Sequence, residues 1–537
     1  MYKYLKKVAM LATATLLIAG CTNNANHKAE YLPVQMSKGD AWSIIDKNGK
    51  EVVKEEYPAE ASFSPVYEDV YWVKQNGTYQ LFSVSSPKQP LTDVEFAKAT
   101  LFAAGRAAVS TPNVPIRIIN TQGSMVVSLP KNIKKCTRFW DSGYAVVTTT
   151  DDTRGIIDKA GKMVVEAKYA WISISDDDDL YMAYKKDEKE IGIFSFKKGR
   201  QGTINQEKYR LLSGIHEGKI LVRDAGEQGS SPVIVLDTTG KRLFEIKKSR
   251  EDWWSSEQYK DGYFVFKTED GKYGVVDDEG TVVIRAKYNQ VQNMGDGRFA
   301  AKKGDKWGVV DAKDETVLDF DYEWVWPSVY GSNFFVKDGS SWAFVDKEGK
   351  EQASFDNYSG SAWDYEVDYV DLASIASALK ELIEGFEAIQ SASGVAKAYG
   401  LSIDNYHYSY RANLTSAIGD KIEGKVDISF DDHMAEVKTH QESVNDGWFT
   451  TTQTVIDGWQ WTNARPTSVK GTLTIKDDAI AVGDLYKSLC SELSKGRKDV
   501  GGGKFSKNVK IGGKPTECQT SLTEGYKQIS FDITFNQ

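Results

Sequence analysis

The sequence is poor in the residues that most often carry catalysis or bind metal ions. Its 537 residues include only 4 Cys and 5 His, and no two cysteines have the C-x-x-C spacing of a zinc or redox site. The motifs G-x-S-x-G and H-E-x-x-H do not occur, and GGGK at 501–504 lacks the spacing and the hydroxyl residue of a phosphate-binding loop. The sequence therefore predicts no catalytic centre, no cofactor and no metal ion, and it predicts a hairpin turn at GGGK.

Positive charge is also in short supply. The chain has 67 Lys and Arg against 76 Asp and Glu, which gives a formal net charge of −9. A surface of this sign repels a phosphate backbone, so no nucleic-acid partner is expected.

Two clusters of potential metal ligands are weak evidence for a site. The consecutive Asp176–Asp179 lack the alternating spacing of a calcium loop, so a solvated loop is the simpler interpretation. His433 and His440 are seven residues apart in a region with strand-like alternation, which places them on opposite faces. Neither cluster predicts a bound metal.

The first thirty residues carry an export signal. Several lysines precede an apolar stretch over 8–18, which is short for a membrane span but typical of a secretory leader. The following LIAGC at 17–21 resembles the lipobox of bacterial lipoproteins. The resemblance implies a leader over 1–20, a lipid on Cys21 and, because Thr22 is not the Asp of inner-membrane retention, the outer membrane. The alternatives are an ordinary leader with an incidental cysteine, or an uncleaved anchor.

Export also bears on the remaining cysteines, because it places them in an oxidising compartment. With Cys21 lipidated, Cys136, Cys490 and Cys518 remain. Cys490 and Cys518 share the C-terminal segment and are either joined in a disulfide or both reduced. Cys136 stands alone in the middle of the chain and is predicted to be a buried apolar residue. The polar residues after Cys21, up to residue 30, are predicted to form a flexible tether.

The middle of the chain repeats itself. WSIIDKNGKEVVKEEY from Trp42, RGIIDKAGKMVVEAKY from Arg154, YGVVDDEGTVVIRAKY from Tyr273 and WGVVDAKDETVLDFDY from Trp307 share one frame. Periods of this kind indicate a repeat architecture. The Asp of the frame, or the residue that replaces it, recurs at intervals of 34 to 42 residues at Asp46, Ser83, Asn120, Asp158, Ser195, Asp237, Asp277, Asp311 and Asp346.

Each repeat is predicted to form three or four short strands. A Gly opens an alternating run such as 262–266, and the aromatic-Gly pair begins the next strand. In the Asp-x-x-Gly turn that follows, the Asp accepts hydrogen bonds from backbone N–H groups two residues on and the Gly supplies a positive φ. Aromatic residues at fixed repeat positions are therefore expected in the core, and the Gly after the aromatic is expected to allow close approach of a neighbour.

The pattern W-G-φ-φ-D-x-x-G-x-x-φ-φ-x-x-x-Y, in which φ is an apolar residue, resembles the WG (KWG) repeat over residues 31–358. Trp307-Gly308 matches it fully, whereas the copies near residues 83, 120 and 237 lack the dipeptide. The family is associated with β-rich bacterial surface and envelope proteins, and the resemblance implies no catalytic residues.

The expected fold class is mainly β. Units of this length suit either a β-propeller or an open β-solenoid, and the propeller is preferred because it leaves no long exposed strand edges. Nine units exceed the usual four to eight blades, so a ring requires one unit outside it or a terminal strand paired with the other end.

After residue 358 the frame stops. Residues 359–369 are predicted to be a linker, and residues 370–537 an α+β domain of no recognised family. Asp371 is expected to cap an amphipathic helix, and a second helix is expected over 483–493. Strand-like segments occupy the rest of the domain.

The predicted function is a membrane-anchored envelope lipoprotein that acts as a non-enzymatic binding or scaffolding module through its repeats. The expected partner is an envelope protein or a glycan. The alternative is an envelope enzyme whose site lies in the C-terminal α+β domain or in the central channel of a propeller.

Overall fold

A computed structural model describes the fold of most of the chain. The chain divides into two compact units, 1–369 and 370–537. No helix among the described residues combines the length and the apolar character needed to cross a membrane. The described residues are 30–175, 179–226, 232–246, 259–330, 332–358, 363–389, 409–413, 421–430, 435–445, 450–461, 466–477, 480–511 and 513–536.

The described part of the first unit contains nine antiparallel sheets, one for each repeat of the sequence. Sheet 1 contains β1 (Tyr31–Gln35), β2 (Trp42–Asp46) and β3 (Glu51–Tyr57). Sheet 2 contains β4 (Ser62–Phe63), β5 (Val70–Gln75) and β6 (Thr78–Ser83). Sheet 3 contains β7 (Lys98–Ala99), β8 (Ala107–Thr111), β9 (Val114–Ile119) and β10 (Met125–Ser128).

Sheets 4 to 6 follow the same order of four consecutive strands. Sheet 4 contains β11 (Ile133–Thr137), β12 (Ala145–Thr149), β13 (Arg154–Ile157) and β14 (Met163–Tyr169). Sheet 5 contains β15 (Trp171–Ile174), β16 (Leu180–Tyr184), β17 (Glu190–Ser195) and β18 (Gly199–Asn205). Sheet 6 contains β19 (Tyr209–Leu211), β20 (Lys219–Asp224), β21 (Val233–Asp237) and β22 (Arg242–Ile246).

Sheets 7 to 9 complete the series. Sheet 7 contains β23 (Tyr259–Lys260), β24 (Tyr263–Lys267), β25 (Tyr273–Asp277) and β26 (Val282–Tyr288). Sheet 8 contains β27 (Gln290–Gly295), β28 (Arg298–Lys303), β29 (Lys306–Asp311) and β30 (Thr316–Tyr322). Sheet 9 contains β31 (Trp324–Tyr330), β32 (Asn333–Asp338), β33 (Ser341–Val345) and β34 (Glu351–Phe355).

Two further short strands return to earlier sheets. β35 (Asn357–Tyr358) pairs with β1, and β36 (Glu366–Asp368) pairs with β11. In sheets 2, 3 and 5 to 9 the first strand in the chain lies at one edge, so β35 supplies the first strand that sheet 1 lacks. The two ends of the repeat region are thus joined in one sheet, which is the arrangement that closes a propeller ring.

The apolar cores confirm the closure. Eight buried clusters each lie between consecutive sheets, from sheets 1 and 2 to sheets 8 and 9. A ninth joins the last sheet to the first through Phe335, Phe344 and Phe355 on one side and Leu32, Val34 and Ile45 on the other. The fold is therefore a closed β-propeller of nine blades, with no unit left outside the ring; the open solenoid is excluded.

The Asp-x-x-Gly turns have the predicted geometry. In seven repeats the Oδ1 atom of the Asp or Asn accepts hydrogen bonds of 2.7 to 3.1 Å from the backbone N–H groups two and four residues on. Gly280 has φ 87° and its turn packs on Phe244, in the fourth strand of the preceding sheet. Because Gly49, Gly161 and Gly240 make equivalent contacts, these turns lie side by side at one end of the ring. We call this end the turn rim.

The glycine of the aromatic-Gly pair also has the expected role. A Cβ atom on Gly308 would lie 2.7 Å from the carbonyl oxygen of Leu318 in the neighbouring fourth strand. Gly155 and Gly274 meet the same kind of carbonyl at 2.7 Å and 2.6 Å. The fourth strand has a register shift at this point, and a side chain at the glycine would force the two strands apart.

The second unit is the predicted α+β domain. One sheet has the order β37-β38-β41-β45-β44-β43-β42, and β39 and β40 form a separate hairpin. Residues 501–504 form the turn between β42 and β43, as predicted for GGGK. The elements are α1 (Leu372–Glu387), β37 (Ser409–Asn413), β38 (Ile422–Phe430), β39 (Ala435–Asn445), β40 (Thr450–Trp461), β41 (Pro466–Ile475), α2 (Val482–Ser494), β42 (Lys498–Gly501), β43 (Lys504–Ile511), β44 (Lys514–Gly525) and β45 (Gln528–Asn536).

Both predicted helices are present. The Asp371 side chain caps α1 by accepting hydrogen bonds from the backbone N–H groups of Ala373 and Ser374. The two helices pack on each other, and α2 also lies against β44. Their buried residues, Leu372, Leu379, Ile383, Phe386, Leu485, Leu489 and Leu493, form one side of the domain core.

Candidate functional site

The repeated aromatic residues belong to the core of the ring and do not form a binding surface. Trp307 pairs with Tyr322 across β29 and β30, and its side chain is 1% exposed. The same pairing joins Trp42 with Tyr57, and a Tyr stands in place of the Trp in sheet 7. Trp307 packs between sheets 8 and 9, with its ring centroid 4.6 Å from that of Trp324. The aromatic excess of the sequence therefore serves the contacts between sheets, as predicted.

The carboxylates of the turn rim hold turns. Each Asp of an Asp-x-x-Gly turn is engaged by two backbone N–H groups of its own turn. Among the described residues, no group of three or more His, Cys, Asp or Glu is arranged to hold a metal ion. Asp176–Asp178 and His433 lie outside the described residues, and Asp179 forms an ion pair with Lys197 at 3.4 Å.

The first strands of the sheets surround the axis of the ring, and one of them has acquired a partner. β36 pairs antiparallel with β11, so that Lys135, Cys136 and Thr137 lie opposite Asp368, Val367 and Glu366. The backbone N–H of Arg138 donates to the carbonyl oxygen of Tyr365 at 2.7 Å, which extends the pairing by one residue. Part of the segment predicted as a linker is thus a strand on the inner edge of sheet 4.

Residues 363–369, which we call the edge segment, are held by side chains as well as by backbone pairing. Lys98 forms an ion pair with Asp368 at 3.1 Å, and Lys135 forms one with Glu366 at 2.5 Å. The Tyr79 hydroxyl donates to Asp364 at 3.0 Å. These contacts join the edge segment to sheets 2, 3 and 4.

Aromatic side chains of the edge segment also contact the sheets. The ring of Trp363 meets that of Tyr79 edge-on at a centroid distance of 5.1 Å, and Tyr365 meets Trp140 in the same way at 5.9 Å. Burial raises the pKa of the Asp364 carboxyl above its ordinary value, against the opposing effects of the Tyr79 hydroxyl and Lys98. A desolvated carboxylate is tolerated here because an O–H donor and cations face it.

The charge of the first strands explains why an acidic segment lies there. The described first strands contain Lys98, Lys134, Lys135, Arg210 and Lys260 and no Asp or Glu. This composition is the reverse of the chain as a whole, whose net charge is −9. The described first strands thus carry cations without carboxylates, and two of these cations, Lys98 and Lys135, hold the acidic edge segment by ion pairs. Sequence reasoning missed this site, because its residues are scattered over many repeats.

The cysteines differ in their settings. Cys21 lies outside the described residues. Cys136, Cys490 and Cys518 are free thiols in the structure, with Cys136 and Cys518 buried. Burial raises the pKa of the Cys518 thiol to about 12 and also raises that of Cys136. Thiols held in this way are inert as nucleophiles at neutral pH.

The C-terminal unit contains one buried ionic cluster. The Glu387 carboxylate is 1% exposed and receives Arg497 at 2.7 Å, Lys507 at 2.5 Å and the Thr520 hydroxyl at 2.5 Å. Burial favours the neutral acid, but the hydrogen bonds from these three groups outweigh it and hold the pKa of Glu387 below its ordinary value. The cluster ties the end of α1 to the residues after α2 and to the sheet, so its role is structural.

Four segments of the chain match the family model of the WG containing repeat. They are residues 42–79, 155–189, 273–307 and 307–350. The chain carries WG repeats. Each matched WG repeat starts at the third strand of one sheet and extends into the next sheet, so the sequence unit bridges two blades. This offset is the reason that sheet 1 needs a strand from the far end of the WG-repeat region.

Solved structures similar to this WG-repeat chain include three with low identity. A eukaryotic initiation factor is 12% identical, with 62% of this chain and 97% of that chain covered and a TM-score of 0.44. BamB from Moraxella catarrhalis is 12% identical, with 53% and 88% covered and a TM-score of 0.29. The C-terminal WD40 domain of Sif2 is 11% identical, with 58% and 94% covered and a TM-score of 0.30. Among curated protein sequences, none matches this chain.

Proposed function

We propose that this protein is a lipid-anchored scaffold of the bacterial envelope, whose propeller binds extended acidic segments of partner proteins along the first strands of its ring. The observation that carries the proposal is the edge segment. It supports the proposal because it combines strand pairing to β11 with ion pairs to Lys98 and Lys135.

The physical logic is that of strand addition. An edge strand offers unpaired N–H and C=O groups, and a peptide that completes the ladder gains backbone hydrogen bonds whatever its sequence. Side chains then supply selectivity, and a basic edge selects acids at alternate positions, as Glu366 and Asp368 illustrate. Because the edge segment is covalently attached, it competes with any partner at high effective concentration.

The anchor rests on the sequence. The LIAGC motif at 17–21 supplies a lipobox with Cys21 as the acylated residue. The next residue is Thr22 rather than the Asp of inner-membrane retention, which favours the outer membrane. Several acyl chains at about 0.8 kcal/mol for each buried CH₂ would hold a protein on a membrane firmly. A scaffold role without catalysis agrees with the repeat fold, which places its recurrent side chains in the core and in turns.

One experiment tests the anchor. The full chain and its Cys21→Ala variant are expressed in bacteria fed with labelled palmitate, and membranes are separated from soluble fractions. We expect label and membrane retention for the native chain only. Label on the Cys21→Ala variant would refute the lipobox assignment.

A second experiment tests the binding site. A fluorescent peptide with the sequence of residues 363–369 is titrated into the native chain and into the Glu366→Ala/Asp368→Ala variant, whose own edge segment is weakened. We expect tighter binding by the variant, and loss of that binding when Lys98→Ala and Lys135→Ala are added. A peptide with Asn and Gln in place of its acids is the control.

The outcomes separate the two function classes. Equal affinity for the acidic and the neutral peptide, or no binding by the variant, would contradict the basic edge as a binding site. Turnover of an envelope substrate that a single substitution abolishes would replace the scaffold with an enzyme.

A further inference from the structure

Apolar side chains are exposed at two adjacent positions of the repeat, five and six residues after the turn Asp or Asn. Scattered exposed apolar residues are ordinary on protein surfaces, but recurrence at these two repeat positions concentrates them in a band. Met125 is 61% exposed and Val282 is 52% exposed. The side chains that form the band are Val52, Met125, Met163, Val164, Leu243 and Val282.

The band lies on the turn rim. Each of these residues is the first or second residue of the fourth strand of its sheet, which follows the turn after the third strand. Two of these positions lie on adjacent sheets near one turn, because the turn at Gly161 packs on Val127, two residues after Met125, and Met163 is the second residue after Gly161. The fourth strands form the periphery of the ring, so these side chains point outward at one end of it.

The chain enters the ring at the same end. Tyr31, the first residue of β1, lies opposite Asp46, which begins the turn of sheet 1. Only eight residues lie between Cys21 and Glu30, and the nine steps along the chain reach at most about 30 Å. A lipid on Cys21 would therefore keep the turn rim, rather than the other end of the ring, close to the membrane.

Lysines accompany the apolar side chains. Lys50, Lys159 and Lys162 are exposed on the turns of sheets 1 and 4, with Lys162 directly before Met163, whereas Asp278 and Glu279 are exposed on the turn of sheet 7. Apolar side chains flanked by lysines suit the boundary of a phospholipid bilayer, where the apolar groups enter the acyl region and the ammonium groups meet phosphates.

We infer that the turn rim is a membrane-contacting surface that lies on a phospholipid bilayer beside the lipid anchor. The inference rests on the proposed anchor for its orientation, but the contact itself does not need the acyl chains. This contact fixes the orientation of the ring relative to the membrane. The end opposite the turn rim then faces away from the membrane and remains accessible to partners.

The test uses the chain from residue 22 to 537, which lacks the lipid but keeps every described residue. Its binding to vesicles of phosphatidylethanolamine and phosphatidylglycerol is measured by co-sedimentation, and compared with that of the Met125→Glu/Met163→Glu variant. We expect the double variant to bind at least about tenfold more weakly, because two apolar side chains lose their burial and two negative charges meet anionic lipid.

Val500→Glu is the matched control, since Val500 is 61% exposed, as is Met125, but lies in the C-terminal unit. It should bind as the unchanged chain does. An equal loss for Val500→Glu, or no vesicle binding by the unchanged chain, would overturn the inference. So would a dimer in solution that Met125→Glu/Met163→Glu dissociates without an effect on vesicle binding, because a second copy would then cover the band.

The experiment is independent of the anchor test. Failure of palmitate labelling at Cys21 would remove the proposed anchor and leave vesicle binding by residues 22–537 unaffected. Failure of vesicle binding would remove the contact and leave the anchor intact.

Discussion

The side-chain amide of Asn333 donates a hydrogen bond of 2.9 Å to the backbone carbonyl oxygen of Lys47, which lies 286 residues earlier in the chain. Asn333 begins β32 of the last sheet, and Lys47 belongs to the turn of the first. The same turn packs on β34 at Ala353. Together with the pairing of β1 and β35, these contacts make the junction of sheets 9 and 1 as tight as the other junctions in the ring.

A glycine at this junction gives the first prediction. A Cβ atom on Gly49 would lie 2.3 Å from the Ala353 Cβ, whereas Gly77, with a similar positive φ, has nothing within 4 Å. Both Gly→Ala variants incur backbone strain of roughly 1–2 kcal/mol, and only Gly49→Ala adds a steric clash. We expect Gly49→Ala to lower the denaturation midpoint in urea clearly more than Gly77→Ala. Equal shifts would mean that the closing contact is not tight.

The second prediction concerns the aromatic row. Trp307→Ala should lower the free energy of unfolding by about 3–5 kcal/mol, because the ring is buried between sheets 8 and 9. Tyr526→Ala, at a side chain that is 91% exposed, is the comparison and should have little effect. Denaturant unfolding of the full chain, followed by Trp fluorescence, measures both. An unmoved midpoint for Trp307→Ala would indicate that the row faces solvent.

Much of the ring could be predicted from the sequence, because its signals are local. The turn Asp binds N–H groups only two and four residues away, and the aromatic pair Trp307 and Tyr322 belongs to one hairpin. Such contacts impose a residue type at a fixed spacing, which a repeated frame reveals.

The closure and the edge segment could not be predicted with the same certainty. β35 has two residues and no pattern of its own, and its partner β1 lies over 300 residues away in the chain. The edge segment follows SGS and resembles a linker, while the lysines that hold it, Lys98 and Lys135, occupy unremarkable positions in two different repeats. Contacts of this kind depend on the assembled ring.

The third prediction uses the buried ionic cluster of the C-terminal unit. Glu387→Gln removes the buried carboxylate that Arg497 and Lys507 share and leaves Arg497 paired with Glu384 at 3.3 Å. Breaking such a buried pair typically costs about 3–5 kcal/mol. Because the folded-state pKa of Glu387 is lowered, its charge stabilises the unit above its unfolded pKa, and this stabilisation is lost as the pH falls through the folded pKa.

The native chain and Glu387→Gln should therefore differ in stability at pH 7 and converge in acid. Thermal unfolding between pH 7 and pH 3 measures the difference, and Glu384→Gln, at a half-exposed neighbour of Arg497, is the control. A difference that stays constant over this range would show that the Glu387 charge contributes nothing.

The fourth prediction concerns the thiols. The structure holds Cys136, Cys490 and Cys518 reduced, with only Cys490 partly exposed. Thiol titration without reductant should find Cys490 reacting first in the folded protein, and Cys136 and Cys518 only after unfolding. In the chain from residue 22 to 537, which lacks Cys21, a single reactive thiol after unfolding without reductant would instead support a disulfide between Cys490 and Cys518.

The closed ring is tested most directly by hydrogen exchange after Phe355→Ala. Phe355 lies in the cluster that joins sheets 9 and 1, and truncating it should cost about 3–5 kcal/mol. If the ring unfolds as one body, amide protection should fall by about two to four orders of magnitude in sheet 5, four sheets away in either direction, as much as in sheets 9 and 1. Loss of protection confined to sheets 9 and 1, with β16 and β17 unchanged, would contradict a closed cooperative ring.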